Sequence, residues 1–182
     1  MPFVDYTLLN NEYPTGQMAE NVQLLHEFDI FHCLLAGSPE RASKVTRRIA
    51  DLPDDFIKWL GVCDGGMLFD TTMFTTKSLD AELDLEFVIY SDFHKPDIRK
   101  NLNIPDEWFV FAVAVHSDLF YFDMEKKDGQ VYQWDIEDKL VYAEWKTFED
   151  WLSDQVNEAI ELIADEQLMP HISKVEIYND EQ

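Results

Sequence analysis

At 182 residues the chain has the length of one domain, able to bury roughly 70% of the surface that its unfolded form exposes. Hydrophobic residues make up 46% and aromatic residues 14%, which excludes a disordered chain even at a formal net charge of −23. That charge, from 37 acidic against 14 basic residues, argues against direct nucleic-acid binding, which needs a basic footprint to neutralise phosphates.

Residues 1–37 contain no Lys or Arg, and the densest basic cluster is Arg41, Lys44, Arg47 and Arg48. The N-terminus lacks a positive region followed by an apolar run, and no stretch reaches the roughly 18 apolar residues of a membrane span. The expectation is a soluble cytoplasmic protein with no membrane partner. Cys33 and Cys63 sit in apolar surroundings without metal-clip or disulfide spacing, so reduced, buried thiols are expected.

In chain order, the stretch MAENVQLLHEFDIFHCLLAGS reads as a helix stopped at Gly37, with His32 and Cys33 on its half-buried face. Ser38-Pro39-Glu40 opens a second helix with a capping hydroxyl, proline in the first turn and an early acid, and Ala42, Val45 and Ile49 form its apolar stripe. Leu52-Pro53 breaks that helix, because proline disfavours helical backbone in the residue before it. Asp54 or Asp55 then caps a short helix carrying Phe56, Ile57, Trp59 and Leu60. Asp64-Gly65-Gly66 follows it. Two glycines can cradle a phosphate, but such loops precede a helix N-terminus and its positive dipole end. These follow a helix C-terminus, so a backbone exit into a strand is the favoured reading.

Beyond Gly66 the pattern turns to strands. Met67–Phe74 and Leu85–Tyr90 are short candidates; Trp108–Val115, Asp118–Asp123, Gln130–Ile136 and Lys139–Trp145 are clear ones, joined by hairpin-length turns at His116-Ser117 and Asp128-Gly129. WFVFAVAV is apolar on both faces and belongs in the middle of the sheet. Phe120 and Phe122 alternate with Tyr121 and Asp123, and Tyr132 and Trp134 with Gln133 and Asp135, predicting strands with one face buried. Trp59, Trp134, Trp145 and Trp151 are expected as core plugs. Thr147 to Asp150 opens a last helix whose stripe is Phe148, Trp151, Leu152, Val156, Ala159, Ile160 and Ile163, with acids on its other sides. The tail holds one further strand candidate, KVEIY, or frays.

The order helix, Leu-Pro, short helix, Gly-Gly, meander, Trp-Asp strand and capped helix resembles the SUKH superfamily of Smi/Knr-type proteins. The matching pieces are LPDDFIKWL followed by DGG, Ile104-Pro105, SDLFYFD, KKDGQVYQWD and TFEDWL, spanning Leu52 to Leu152. Within them Leu52, Pro53, Asp64, Gly65, Gly66, Val131, Tyr132, Trp134 and Asp135 form the structural motif. Asp64 stands where the family usually has Asn, and Ser117 where it favours Gly. The resemblance implies an α+β fold, a mostly antiparallel meander of four or more strands flanked by α-helices. The expected organisation is a single domain over 1–182, with a family-like core at about 38–165 and extensions at 1–37 and 166–182. For bacterial members the resemblance implies an immunity protein that neutralises a polymorphic toxin domain, often a nuclease; fungal relatives are regulatory scaffolds. It carries no catalytic residue set.

The residues add no reaction centre. His26, His32, His94, His116 and His171 lack the i, i+4 spacing of metal ligands, and hydrolase, P-loop and dinucleotide patterns are absent. The expectation is a non-enzymatic binding protein without cofactor or metal, whose partner is a basic toxin domain; a scaffold module is the alternative, and a small hydrolase the third. The expected partner-binding anions are Asp118, Asp123, Asp135, Glu137 and Asp138 at strand ends and turns, with Glu158, Glu161, Asp165 and Glu166 on the last helix. They would steer a cationic partner, while tight holding needs a desolvated anchor.

Overall fold

The computed structural model describes residues 16–27, 32–68, 70–74 and 92–164. The helices are α1 (Gln17–Glu27), α2 (Pro39–Arg48), α3 (Asp54–Val62), α4 (Pro96–Leu102) and α5 (Phe148–Ala164), with a 3₁₀ turn at Asp92–His94 before α4. Among the described residues seven strands form one sheet: β1 (His32–Ala36), β2 (Cys63–Leu68), β3 (Thr71–Met73), β4 (Trp108–Ala114), β5 (Leu119–Asp123), β6 (Val131–Trp134) and β7 (Val141–Trp145). Every neighbour pair is antiparallel and the spatial order is the chain order, so the expected α+β meander is present.

Three local readings change. The stretch read as one helix up to Gly37 divides into α1 and β1, so His32 and Cys33 lie on a strand opposite Leu68 and Met67. Met67–Phe74 is a hairpin of β2 and β3 rather than one strand, with Leu68 paired to Thr71. The Leu85–Tyr90 and KVEIY candidates lie outside the described residues.

β4 occupies the centre, and both its faces are covered. Against one face α1, α2, α3 and α5 deliver Met18, Val22, Val45, Phe56, Trp59, Phe148, Trp151 and Val156, which bury Phe109, Phe111, Phe120, Phe122 and Val131. Phe56 lies at the centre of that layer, its ring 5.1 Å from Phe122, 5.2 Å from Phe148 and 5.4 Å from Phe111. A bulge at Phe111, between the Val110–Tyr121 and Ala112–Phe120 pairs, keeps Phe111 and Ala112 both on this side. The opposite face packs Val110, Leu119, Tyr121, Tyr132 and Trp134 under Ile104, Phe93 and Leu102. Trp108 stacks on Tyr121 at 3.9 Å and meets Trp134 edge-on at 5.5 Å. β5 and β6 are therefore buried on both faces, not one. Tyrosine supplies enough apolar ring to sit in a core when its hydroxyl finds a partner, as Tyr132 does on Asp128 at 2.8 Å.

Trp59, Trp134 and Trp151 are buried core residues, whereas Trp145 is half-buried, packed at the core margin with its indole N–H donating to Asp154 at 3.0 Å. Cys63 is buried, its thiol donating to the Gly65 carbonyl oxygen at 3.5 Å.

The Leu-Pro, Asp-Asp and Gly-Gly signals act as backbone instructions. Leu52 is buried, and Pro53 rather than Asp54 or Asp55 is the N-cap of α3, with no side-chain cap bond; the two acids lie inside its first turn. The Asp55 carboxylate accepts from Phe56 N–H at 2.9 Å and from Glu149 N–H at 3.2 Å, tying the first turns of α3 and α5 together. Thr147 Oγ1 caps α5 by accepting from Asp150 N–H at 3.0 Å. α3 runs directly into β2, where Asp64 and Gly65 face the single Leu35 of β1 as a bulge. Gly65 has φ 80°, and a Cβ there would lie 2.6 Å from the carbonyl oxygen of Phe74. Gly65 thus answers to sheet geometry.

Candidate functional site

Both faces of β4 and β5 are consumed by packing; among the described strands the exposed side chains lie on one face of β2 and β3, at Met67 and Thr72, and on β7. The β6–β7 hairpin carries the largest concentration of unusual surface. Leu140, Val141 and Tyr142 are consecutive and 63%, 47% and 57% exposed. β7 pairs with β6 and with no other described strand, so among the described residues its outer side is open. A register shift between Gln133 and Trp134 makes Tyr142 an extra residue of β7. The Tyr142 hydroxyl donates to the Asp118 carboxylate, and the Gln133 amide donates both to Asp118 at 3.1 Å and to the Tyr142 oxygen. Lost hydration first, then the bond to Asp118 and the charges of Asp118 and Asp135, push ionisation of Tyr142 well above the ordinary tyrosine range. It remains a neutral donor.

The expected partner-binding acids separate into groups. Asp118 belongs to that hydrogen-bonded cluster. Asp135 folds the hairpin turn, its Oδ1 accepting from Glu137 N–H at 2.6 Å and Asp138 N–H at 2.8 Å, and this leaves Glu137 and Asp138 exposed on the turn. Asp123 does the same for the β5–β6 turn, accepting from Glu125 and Lys126 N–H at 3.1 and 3.2 Å, with Lys126 Nζ 3.7 Å away. Glu158 and Glu161 are exposed on α5. Partial burial, then the charges of Asp70, Asp154 and Glu161, raise the Glu158 carboxyl above its ordinary value. Asp165 and Glu166 lie outside the described residues. The structure thus gathers Asp118, Asp135, Glu137 and Asp138 at one hairpin and Glu158 with Glu161 on a helix. Sequence reasoning did not single out Leu140, Val141 or Tyr142, although three apolar residues in a row beside the polar turn Glu137-Asp138-Lys139 were visible.

The other titratable groups serve the fold. His94 is enclosed, its Nε2 donating to the Val110 carbonyl at 2.7 Å, and burial lowers its pKa so that it stays neutral. Arg99 is buried and donates to the carbonyls of Phe93 at 3.2 Å, Trp108 at 2.9 Å and Pro105, locking the loop that leads from α4 into β4. Asp64 is completely buried beside Gly65. Among the described residues no group of three or more His, Cys, Asp or Glu is placed to hold a metal ion, and no helix is long and apolar enough to cross a membrane.

A family model described as SMI1 / KNR4 family (SUKH-1) matches residues 45–154. The chain belongs to that family. The matched span takes in the end of α2, α3, α4, strands β2 to β7 and the first turns of α5, and so includes Asp55, Gly65 and the β6–β7 hairpin, while β1 lies before it. Comparisons with curated proteins and with solved structures return no match.

Proposed function

We propose that this SUKH-1 protein is an immunity protein: it acts by binding, without catalysis, and neutralises a cationic toxin domain in the cytoplasm by covering its working groove. The observation that carries this reading is the joining of the family to a net charge of −23, on a scaffold whose acids stand at hairpin ends and on the outer side of α5. A toxin that attacks nucleic acid must present a basic groove, and a strongly anionic protein both speeds the encounter and competes for that groove. The acids Asp118, Asp123, Asp135, Glu137 and Asp138, with Glu158, Glu161, Asp165 and Glu166, supply that field. Asp123 and Asp135 do so while holding their turns.

The test is co-expression with each toxin domain encoded beside the chain. Protection of the cells, together with a complex that weakens as salt rises, is the expected result. A wild-type protein that is abundant and folded yet protects against none of them would refute the reading. The family also contains regulatory scaffolds, and that reading gains if affinity capture returns intracellular proteins of the host with no cationic toxin among them.

A further inference from the structure

We infer that the open edge of β7 is the docking strand, and that its occupant is an extended segment of a partner protein in which basic and apolar residues alternate. The inference deepens the immunity reading and rests on it for the partner's identity. Soluble sheets protect their edges, because a row of unpaired N–H and C=O groups is a template for another strand. Here the edge strand has no described partner on its outer side. At its start stand Leu140, Val141 and Tyr142, a run of exposed apolar side chains of the kind that is an error in a surface unless it serves contact.

The surroundings specify the occupant's charge. Asp118 and Asp135 flank Tyr142, Glu137 and Asp138 project from the adjoining turn, and Glu144 is exposed on β7 itself, against Lys139 and Lys146 as the local cations. An added strand presents alternate side chains to opposite faces. One set would lie on Val141, beside Trp134, and the other along the side where Tyr142 meets Gln133 and Asp118. Main-chain bonds give such a complex affinity and the flanking pockets give it selectivity. Tyr142 is already oriented by its two polar neighbours, so it offers a positioned aromatic contact whose ordering is complete before binding.

The experiment uses the full chain and a blocked peptide of alternating lysine and valine, with a glutamate–valine peptide of equal length as control. Hydrogen exchange should slow over Val141–Trp145 with the basic peptide alone, the more so at low salt. Val141→Lys, at a half-exposed position where folding is retained, should weaken binding about tenfold or more with an unchanged urea midpoint. Slowed exchange elsewhere, equal effects of both peptides, or no effect of either overturns the inference. So does protection of β7 in the free chain that vanishes when residues 165–182 are removed, since the edge is then covered from within. A dimer broken by Val141→Lys would name a second copy as occupant and overturn it too. In the co-expression assay, wild-type protection that survives Val141→Lys refutes this surface and leaves the immunity reading standing. Absence of wild-type protection refutes that reading, and the peptide measurement still decides the edge.

Discussion

Replacing Gly65 by alanine separates a structural glycine from a ligand-cradling one. Two terms add at this position. Alanine in left-handed backbone costs about 1–2 kcal/mol, and Gly65 has φ 80°. Its new Cβ would sit 2.6 Å from Phe74 O and 2.8 Å from Met73 O, inside any normal carbon–oxygen contact, so β2 and β3 must separate. Overpacking of that kind costs about 1–3 kcal/mol. Stiffening the unfolded chain returns up to about 1 kcal/mol, leaving a net loss of about 3 kcal/mol. Gly129 is the internal control. It too has a positive φ, 72°, but a Cβ there meets nothing nearer than Pro53 Cγ at 3.9 Å, so Gly129→Ala should lose only about 1 kcal/mol. Urea titration followed by tryptophan fluorescence measures both. If the two variants agree to within about 0.5 kcal/mol, the close approach of β3 is not what requires glycine at 65 and the structural account fails.

Four further substitutions probe other parts of the frame. Ser117→Gly should stabilise by about 0.5 kcal/mol in thermal unfolding, because Ser117 holds φ 72° in the β4–β5 turn. Asp55→Ala should lose about 2 kcal/mol in urea, since one carboxylate serves N–H groups of both α3 and α5. Arg99→Met should lose about 3 kcal/mol by the same measurement, because the carbonyls of Phe93, Pro105 and Trp108 lose their buried donor. Glu158 binds its proton more tightly folded than unfolded, so it detracts from stability once ionised, and stability falls as pH rises from the ordinary carboxylate value to the raised one. Glu158→Gln should therefore unfold at higher temperature than wild type at neutral pH and match it in acid.

The sequence made some of this frame legible through period and punctuation. The stripe Ala42, Val45 and Ile49, the box at Thr147 and the two-faced apolar run of β4 each point to one structure, because local propensity and tertiary packing agree there. At β1 the pattern points to a helix where the structure has a strand, because a short apolar run such as IFHCLLA satisfies a buried strand and a buried helix equally. Its pairing with β2, some thirty residues on in sequence, decides the matter. Alternation turns Tyr121 outward with Asp123, whereas its cover comes from Phe93, Leu102 and Ile104, a layer assembled around Arg99 that no alternation pattern encodes. α4 did leave signals, Pro96 in its first turn and Asn103 in left-handed backbone at its end, which a search for helix ends would have found. The acids of the candidate site were legible as residues but not as roles. Only geometry shows that Asp123 and Asp135 close turns while Asp118 orients Tyr142.

Burial of both faces of the central strands is one reason to propose recognition at the hairpin ends. A half-open antiparallel sheet offers a partner a broad flat face, and substitutions there need not disturb a core. Here Phe120 and Phe122 are locked under α3 and α5 while Tyr121 and Trp134 are locked under the segment before β4, so a binding site on either face would compete with packing. Turns and the last strand are free of that conflict: Glu137, Asp138, Leu140 and Val141 are exposed and change without touching either layer. Such a division lets one rigid frame keep its fold while the outer hairpin is rewritten for a new partner. A chimaera carrying the β6–β7 turn and the exposed β7 residues of another family member should keep the urea midpoint of this chain and take on the donor's partner preference. Preference that stays with the frame would place recognition on α5 instead.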